Sequence, residues 1–351
     1  MLDTLVLSVT YRCPIRCRYC GVNAGPHRTE RMSLDFIRRM IDQAKALALV
    51  QLVVFTGGEP FLLGEDLYTA IQYAADLGFH TRIVTNAYWA TSFERACRVI
   101  EQLKRLGLTE LNYSCDDFHQ EFIPLERIRW ANDAARQVGV PALIAAKGLK
   151  RSTITPAYLE EFFGRPLASF CSGQANPTND VVSWGITVPV GWESEHLTDD
   201  DLLWPDREDC WTVRCRTVLK HIVIAPDGQM VICCGIGSEE IPETVVGSAH
   251  ENTLLQLITQ ANDDLIINWL ALEGPYGIMQ QVQEWAPDVR FRQRYVNTCH
   301  LCHDLFARPE VRAVLSERVD AIAPVVSLKR AWLEAHRDEL TMQPVDERQT
   351  H

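Results

Sequence analysis

No apolar run in this 351-residue chain approaches the ~18 residues that a membrane-spanning helix requires, so no spanning segment is expected. Positive charge is in deficit: 34 Lys and Arg stand against 46 Asp and Glu, for a net charge of -12. A dedicated nucleic-acid binder would show the opposite balance, so neither nucleic acid nor a membrane is expected as a partner. The opening Met1-Leu2-Asp3-Thr4 lacks the basic region and apolar stretch of a secretory signal, which points to the cytoplasm. Repeats longer than one strand and helix are missing, as are low-complexity tracts. What the chain has instead is cysteine. Its twelve thiols, in a reducing compartment, read as metal ligands or buried side chains before disulfides. Hydrophobic residues at 47% supply a sizeable core, and at ~150 residues per domain the length suggests about two domains.

Short apolar runs recur at Leu5–Val9, Leu52–Phe55, Thr81–Thr85, Glu110–Ser114 and Ala142–Ala146. The last four begin 29, 29 and 32 residues apart, the length of one strand-helix-strand unit. Helical patterns lie between them. Ser33 is a candidate N-cap, with Leu34, Ile37, Ile41, Ala44 and Ala48 on one face. A second helix carries Phe93, Ala96, Cys97, Ile100 and Leu103 on its stripe, and a third runs from after Pro124 to Gly139. Alternating strands and helices predict an α/β fold with a parallel sheet, doubly wound or curled into a full or partial barrel. The pattern weakens after Gly164. Residues 193–209 hold eight acids against the single full positive charge of Arg207, the composition of a solvated connector. A hairpin follows, His221–Ala225 and Met230–Cys233 about the turn Pro226-Asp227-Gly228, then helices through much of 253–340 and a frayed tail from Thr341.

Directly after the first strand comes Cys13-Pro14-Ile15-Arg16-Cys17-Arg18-Tyr19-Cys20. A metal would hold these thiols as thiolates at neutral pH. Three are one short of the four that a structural zinc or an ordinary iron–sulfur cluster takes. An incomplete set at the C-terminal end of a parallel strand suits an open, reactive metal position. The competing accounts are chance and a zinc site completed by a distant residue. The second strand ends Phe55-Thr56-Gly57-Gly58-Glu59-Pro60, where paired glycines let backbone approach a ligand closely. Alone this stretch could be a turn into a helix near Asp66, but both loops would open on the same face of the sheet.

The paired motifs, C-x3-C-x2-C after the first strand and GGEP after the second, resemble the radical S-adenosylmethionine (SAM) superfamily over roughly residues 1–165. That resemblance implies a partial (β/α)6 TIM-like barrel. It also implies a [4Fe–4S] cluster on Cys13, Cys17 and Cys20, whose fourth iron is chelated by the amino and carboxylate groups of SAM. Tyr19 would pack near the adenine, and Gly57, Gly58, Glu59 and Pro60 would receive the SAM amino group. Reductive cleavage of SAM would yield methionine and a 5′-deoxyadenosyl radical that abstracts hydrogen from a substrate. Polar residues at later strand ends commonly bind SAM in this family, which brings in Ser114, then Asn86 and Asp116. The alternative for each is a side chain satisfying loop backbone. Lys147 is a candidate partner of the SAM carboxylate, with a surface lysine the expected account. His119 is a candidate proton donor or substrate contact, although a lone loop histidine is more often neither. No catalytic side chain is assigned.

A second thiol group comprises Cys215, Cys233, Cys299 and Cys302, with twelve residues, Gly228 and four residues between the first two. Four thiolates complete a closed site, and spacing alone does not separate zinc from iron. The pattern resembles the twitch and SPASM extensions of radical SAM enzymes, in the twitch form with one auxiliary [4Fe–4S] cluster; structural zinc is the competitor. The expected organisation is a core partial barrel over 1–190, an acidic connector over 191–214, a small α+β cysteine-rich twitch/SPASM-like domain over 215–308, and a helical segment and tail over 309–351. Cys97 and Cys115 read as core packing; Cys171, Cys210 and Cys234 are unassigned. Arg12, Arg16 and Arg18 around the first loop suggest a dock for a flavodoxin- or ferredoxin-like electron donor, or solubilising surface charge.

The first strand starts so early that no fused peptide-recognition domain is expected. The wording around Cys20, Thr85 and Cys233 resembles peptide-modifying members, which implies a ribosomally synthesised peptide as substrate and a separate recognition protein. A cross-link, epimerised residue, thioether or backbone excision would be the outcome. The alternatives are a small-molecule dehydrogenase or rearrangement enzyme of secondary metabolism, and a non-catalytic iron–sulfur or zinc scaffold or sensor.

Overall fold

The computed structural model describes residues 2–170, 180–206, 209–235 and 237–336. Cys171, Arg207, Glu208 and the tail from Thr341 lie outside the described residues. Ten strands form one sheet: β1 (Thr4–Thr10), β2 (Leu52–Gly57), β3 (His80–Thr85), β4 (Glu110–Ser114), β5 (Ala142–Gly148), β6 (Ala168–Ser169), β7 (Val181–Ile186), β8 (His221–Ile224), β9 (Gln229–Val231) and β10 (Val245–Ser248). Their order is β10-β9-β8-β1-β2-β3-β4-β5-β7-β6. From β1 to β7 every pairing is parallel. Parallel strands place the loops that follow them on one edge, and both sequence motifs sit there.

Helices α1 (Leu34–Leu47), α2 (Glu65–Asp76), α3 (Phe93–Arg105), α4 (Asp117–Gln120), α5 (Leu125–Val138) and α6 (Pro156–Phe163) cover the outer face. Helix α1 is capped by Ser33, whose side chain accepts from the Phe36 N–H, and it buries Phe36, Ile37, Met40, Ile41 and Ala44. Each large aliphatic side chain so buried contributes about 1.5–3 kcal/mol. Ala48 is not on that face: it is the exposed C-cap, in the left-handed region at φ 55°. Helix α3 buries Ala96, Cys97, Ile100 and Leu103 as its stripe predicts. Cys115 is fully buried too.

The cysteine-rich half joins the same sheet. Strand β8 runs parallel to β1, with Thr4 opposite His221 and Leu7 opposite Ile224, and β9 turns back antiparallel. The hairpin covers what would otherwise be an open edge of β1. After α7 (Asp209–Thr212), helices α8 (Leu254–Asp263), α9 (Leu265–Trp285), α10 (Thr298–Ala307), α11 (Pro309–Arg318) and α12 (Ala323–Ala335) pack behind it. The expected solvated connector is in part a strap. A Cβ on Gly191 would stand 2.6 Å from the Cys20 nitrogen, and the Glu193 N–H donates to the Arg18 carbonyl at 3.0 Å. The Trp192 indole donates to the Ala24 carbonyl at 3.1 Å while Arg16 stacks on its ring.

Candidate active site

The loop after β1 carries Cys13 and Cys17, both buried, and Cys20, partly so. All three line a cavity of about 80 Å³ with Gly57, Gly58, Thr85, Asn86, Ser114 and His119. It adjoins a larger cavity of about 440 Å³ lined by Cys17, Tyr19, Cys20, Ser114, Asp116 and Lys147, and by Cys234, Gly235, Gly237, Ser238 and Glu239 from the other half. The sulfurs are tied in place: the Asn86 amide lies 3.6 Å from Cys13 Sγ, and the Ala24 N–H donates to Cys20 Sγ at 3.3 Å. Burial pushes the Cys13 and Cys20 thiols up, so an electropositive ligand is what would draw off their protons.

Gly57 and Gly58 serve first to join the two loops. Their Cβ atoms would fall 2.3 Å from the Thr10 carbonyl oxygen and 2.4 Å from that of Arg12. The Gly58 N–H donates to Thr10 O at 2.6 Å and the Glu59 N–H to Arg12 O at 3.0 Å. Glu59 turns away from the cavity and is fully buried. Its carboxyl accepts from the Thr85 hydroxyl at 2.9 Å, the Asn86 N–H at 2.9 Å and the Phe61 N–H at 3.2 Å. Burial pushes its pKa up to about 7 in spite of those bonds. Pro60 is buried beside it at the start of a 3-10 turn, Pro60–Leu63. The sequence motif therefore braces three strand ends as well as lining the cavity.

Asp116 caps α4, accepting from the Phe118 and His119 N–H groups, both at 3.2 Å. The same carboxylate oxygen lies 2.6 Å from His119 Nδ1. Burial alone would lower the His119 pKa, but Asp116 and Cys17 outweigh it and hold the imidazole well above its ordinary range. His119 is therefore a member of the thiol site, which a lone loop histidine did not signal. Lys147 is not a surface lysine: it lines the larger cavity, where burial lowers its pKa. Tyr19 also lines that cavity, its ring edge-on to Phe118 at 4.9 Å. Arg18 pairs with Glu121 at 3.2 Å.

Cys215, Cys233, Cys299 and Cys302 come together around a small cleft with Gly235, Thr298 and His303. A Cβ on Gly235 would lie 3.0 Å from Cys233 Sγ and 3.4 Å from Cys299 Sγ, a tight fit that would press on both thiols. The Thr217 hydroxyl is 3.5 Å from Cys215 Sγ and 3.4 Å from Cys233 Sγ. Hydrogen bonding between them holds the Cys215 thiol low and Cys233 high. Cys234 points elsewhere, with its Sγ 2.8 Å from His221 Nδ1, into the barrel. Cys210 is the second residue of α7 and takes no place in the cleft lining. Among the described residues no three His, Cys, Asp or Glu side chains lie close enough to share a single metal ion.

A barrel edge with a three-thiol loop beside a Gly-Gly-Glu turn defines a class, and comparison agrees. The family model of the Radical SAM superfamily matches residues 7–162, so this chain carries a radical SAM domain, and that family implies SAM and a [4Fe–4S] cluster. Over 316 residues it is 24% identical to YydG of Bacillus subtilis (strain 168), named for peptide biosynthesis, covering 88% of this chain and 93% of that one. Among solved structures, Streptococcus suis SuiB bound to S-adenosylmethionine matches with a TM-score of 0.52 and 15% identity, over 77% of this chain and 68% of that one. BtrN in complex with AdoMet and 2-DOIA matches with a TM-score of 0.46 and 11% identity, over 80% of this chain and 90% of that one. Among the described residues no helix is long and apolar enough to cross a membrane.

Proposed function

We propose that the chain is a cytoplasmic peptide-modifying radical SAM enzyme. Cys13, Cys17 and Cys20 hold its [4Fe–4S] cluster, and Tyr19, Gly57, Gly58, Asn86, Ser114 and Asp116 form its SAM pocket. The observation that carries this reading is three thiols of one loop lining one cavity, two of which, Cys17 and Cys20, also line the adjoining space of about 440 Å³, which is ligand-sized. Cluster and SAM, when bound, supply the 5′-deoxyadenosyl radical that abstracts a hydrogen atom. The protein's residues orient and shield. Glu59 fixes the β2 and β3 loops behind the cluster, and Asp116 holds His119 against Cys17. Cys215, Cys233, Cys299 and Cys302 hold an auxiliary [4Fe–4S] cluster. Structural zinc on the same four thiols is the competing occupant. Likeness to YydG along most of both chains supports a peptide substrate. A separate recognition protein and a flavodoxin- or ferredoxin-like electron donor complete the reading.

Among peptide outcomes, the Cys234 thiol in the shared cavity favours epimerisation. After loss of a Cα hydrogen, the S–H bond of Cys234 breaks and a C–H bond forms on the opposite face. The remaining thiyl takes one electron from the protein donor and one proton from solvent. Anaerobic reconstitution with dithionite and SAM tests the whole: 5′-deoxyadenosine and about eight irons per chain support it. Four irons with one zinc would reassign the second site, and no 5′-deoxyadenosine would end the reading.

A further inference from the structure

The wall of the larger cavity carries polar side chains to which the cluster and SAM give no task. Lys147 faces inward at the end of β5, opposite Gly185 of β7. Burial pushes the Lys147 pKa down, while Asp116, Cys299 and Cys20 pull it up. Among the described residues its ammonium makes no hydrogen bond or ion pair, and it is the one Lys or Arg on this wall. Thr187, just past β7 on the same wall, is 2% exposed and its hydroxyl has no partner. Its N–H is already committed to the Gly148 carbonyl at 3.1 Å.

A buried hydroxyl without a partner is costly, and a half-buried ammonium facing a cavity gains from a counter-charge. A ligand oxygen bearing negative charge relieves both groups at once. Asp116 acts on Lys147 only from a distance and makes no ion pair with it, and its Oδ1 is taken by His119 and two backbone N–H groups. The cavity that Lys147 lines reaches from Cys17 and Cys20 to Cys234 and Gly235, so whatever binds it lies between the two cysteine-bearing halves. That is the place of a substrate rather than of SAM, whose own carboxylate belongs to the three-thiol site in the reading above.

We propose that Lys147 and Thr187 form a carboxylate subsite that anchors an acidic side chain of the peptide substrate next to the residue being modified. This rests on the peptide reading. The test uses the full chain, reconstituted anaerobically with SAM, and two capped probes, N-acetyl-Gly-Asp-Gly-amide and its Asn isostere, by titration calorimetry. The Asp probe should bind about tenfold tighter or more, as a charge-assisted hydrogen bond provides. Lys147→Met should erase that preference and leave SAM affinity unchanged, while Lys147→Arg keeps part of it. Should the methionine variant fail to fold, Thr187→Val should weaken the Asp probe alone, by about threefold or more. Equal binding of the two probes by the unaltered chain overturns the proposal, as does binding of neither. Weakened SAM with an intact Asp preference in Lys147→Met overturns it too, since the occupant is then the SAM carboxylate. If N-acetylaspartate binds through Lys147 while the peptides do not discriminate, the peptide reading fails. If SAM is never cleaved, the enzymatic reading itself fails.

Discussion

Gly58→Ala is the sharpest small perturbation of the site. The new methyl would stand 2.4 Å from the Arg12 carbonyl oxygen, 2.8 Å from its carbon and 2.9 Å from the Tyr11 oxygen. All three are backbone atoms, so no side chain can rotate away. Ordinary contact begins near 3.4 Å, so the turn must retreat by about 1 Å. That movement breaks Gly58 N–H to Thr10 O and Glu59 N–H to Arg12 O, each worth about 1 kcal/mol net. Overpacking adds about 1–3 kcal/mol, for a total near 3–5 kcal/mol. Urea unfolding of the apo chain reads this as a lowered midpoint at unchanged slope. Reconstitution should show reduced iron uptake and weakened SAM binding, because Glu59 moves with the turn. Gly25→Ala is the control on the neighbouring loop: its Cβ would meet only Arg16 Cγ at 3.9 Å, and its cost should stay within about 1 kcal/mol. Equal stability and iron content in Gly58→Ala and Gly25→Ala would refute the reasoning.

Cys13→Ala, Cys17→Ala and Cys20→Ala should each abolish SAM cleavage while circular dichroism stays that of the parent chain; normal cleavage in any of them contradicts the ligand assignment. Cys299→Ala or Cys302→Ala should instead lower solubility or block product formation, since a closed metal site contributes folding free energy; sedimentation and product mass spectrometry decide. Glu59 makes apo stability pH-dependent. Its folded pKa of about 7 exceeds the unfolded value of 4.5, so its contribution is full below 4.5 and falls as pH rises toward 7. The loss is about 2–4 kcal/mol, and Glu59→Gln should flatten that slope; parallel pH profiles would contradict it. Cys234→Ala should leave 5′-deoxyadenosine formation intact while removing solvent deuterium from product made in heavy water.

The even spacing of β2, β3, β4 and β5 was legible because each strand and helix carries its own periodicity. Strand β7 was not, since Val181–Ile186 follows a stretch without a helical period and pairs with β5 only in three dimensions. Alternation along Ala142–Gly148 shows two faces, but only the arrangement of the strands around the cavity shows that Lys147 faces it. Its misreading as a surface lysine follows from that. The Gly-Gly-Glu stretch was recognisable as a site element, yet the inward turn of Glu59 depends on Thr85 and Asn86, residues far away along the chain. Residues 191–193 were read from their acidic surroundings as solvated. Their anchors, Arg18 and Ala24, lie more than one hundred sixty positions earlier, beyond any local pattern.

Electron paramagnetic resonance of the dithionite-reduced, reconstituted chain, recorded before and after SAM is added, tests the central claim most directly. The account predicts a SAM-responsive component of the cluster signal that survives in Cys299→Ala and vanishes in Cys17→Ala, where only the auxiliary cluster's SAM-indifferent signal remains. A spectrum with no component that responds to SAM, or a SAM-responsive component that persists without Cys17, would contradict it.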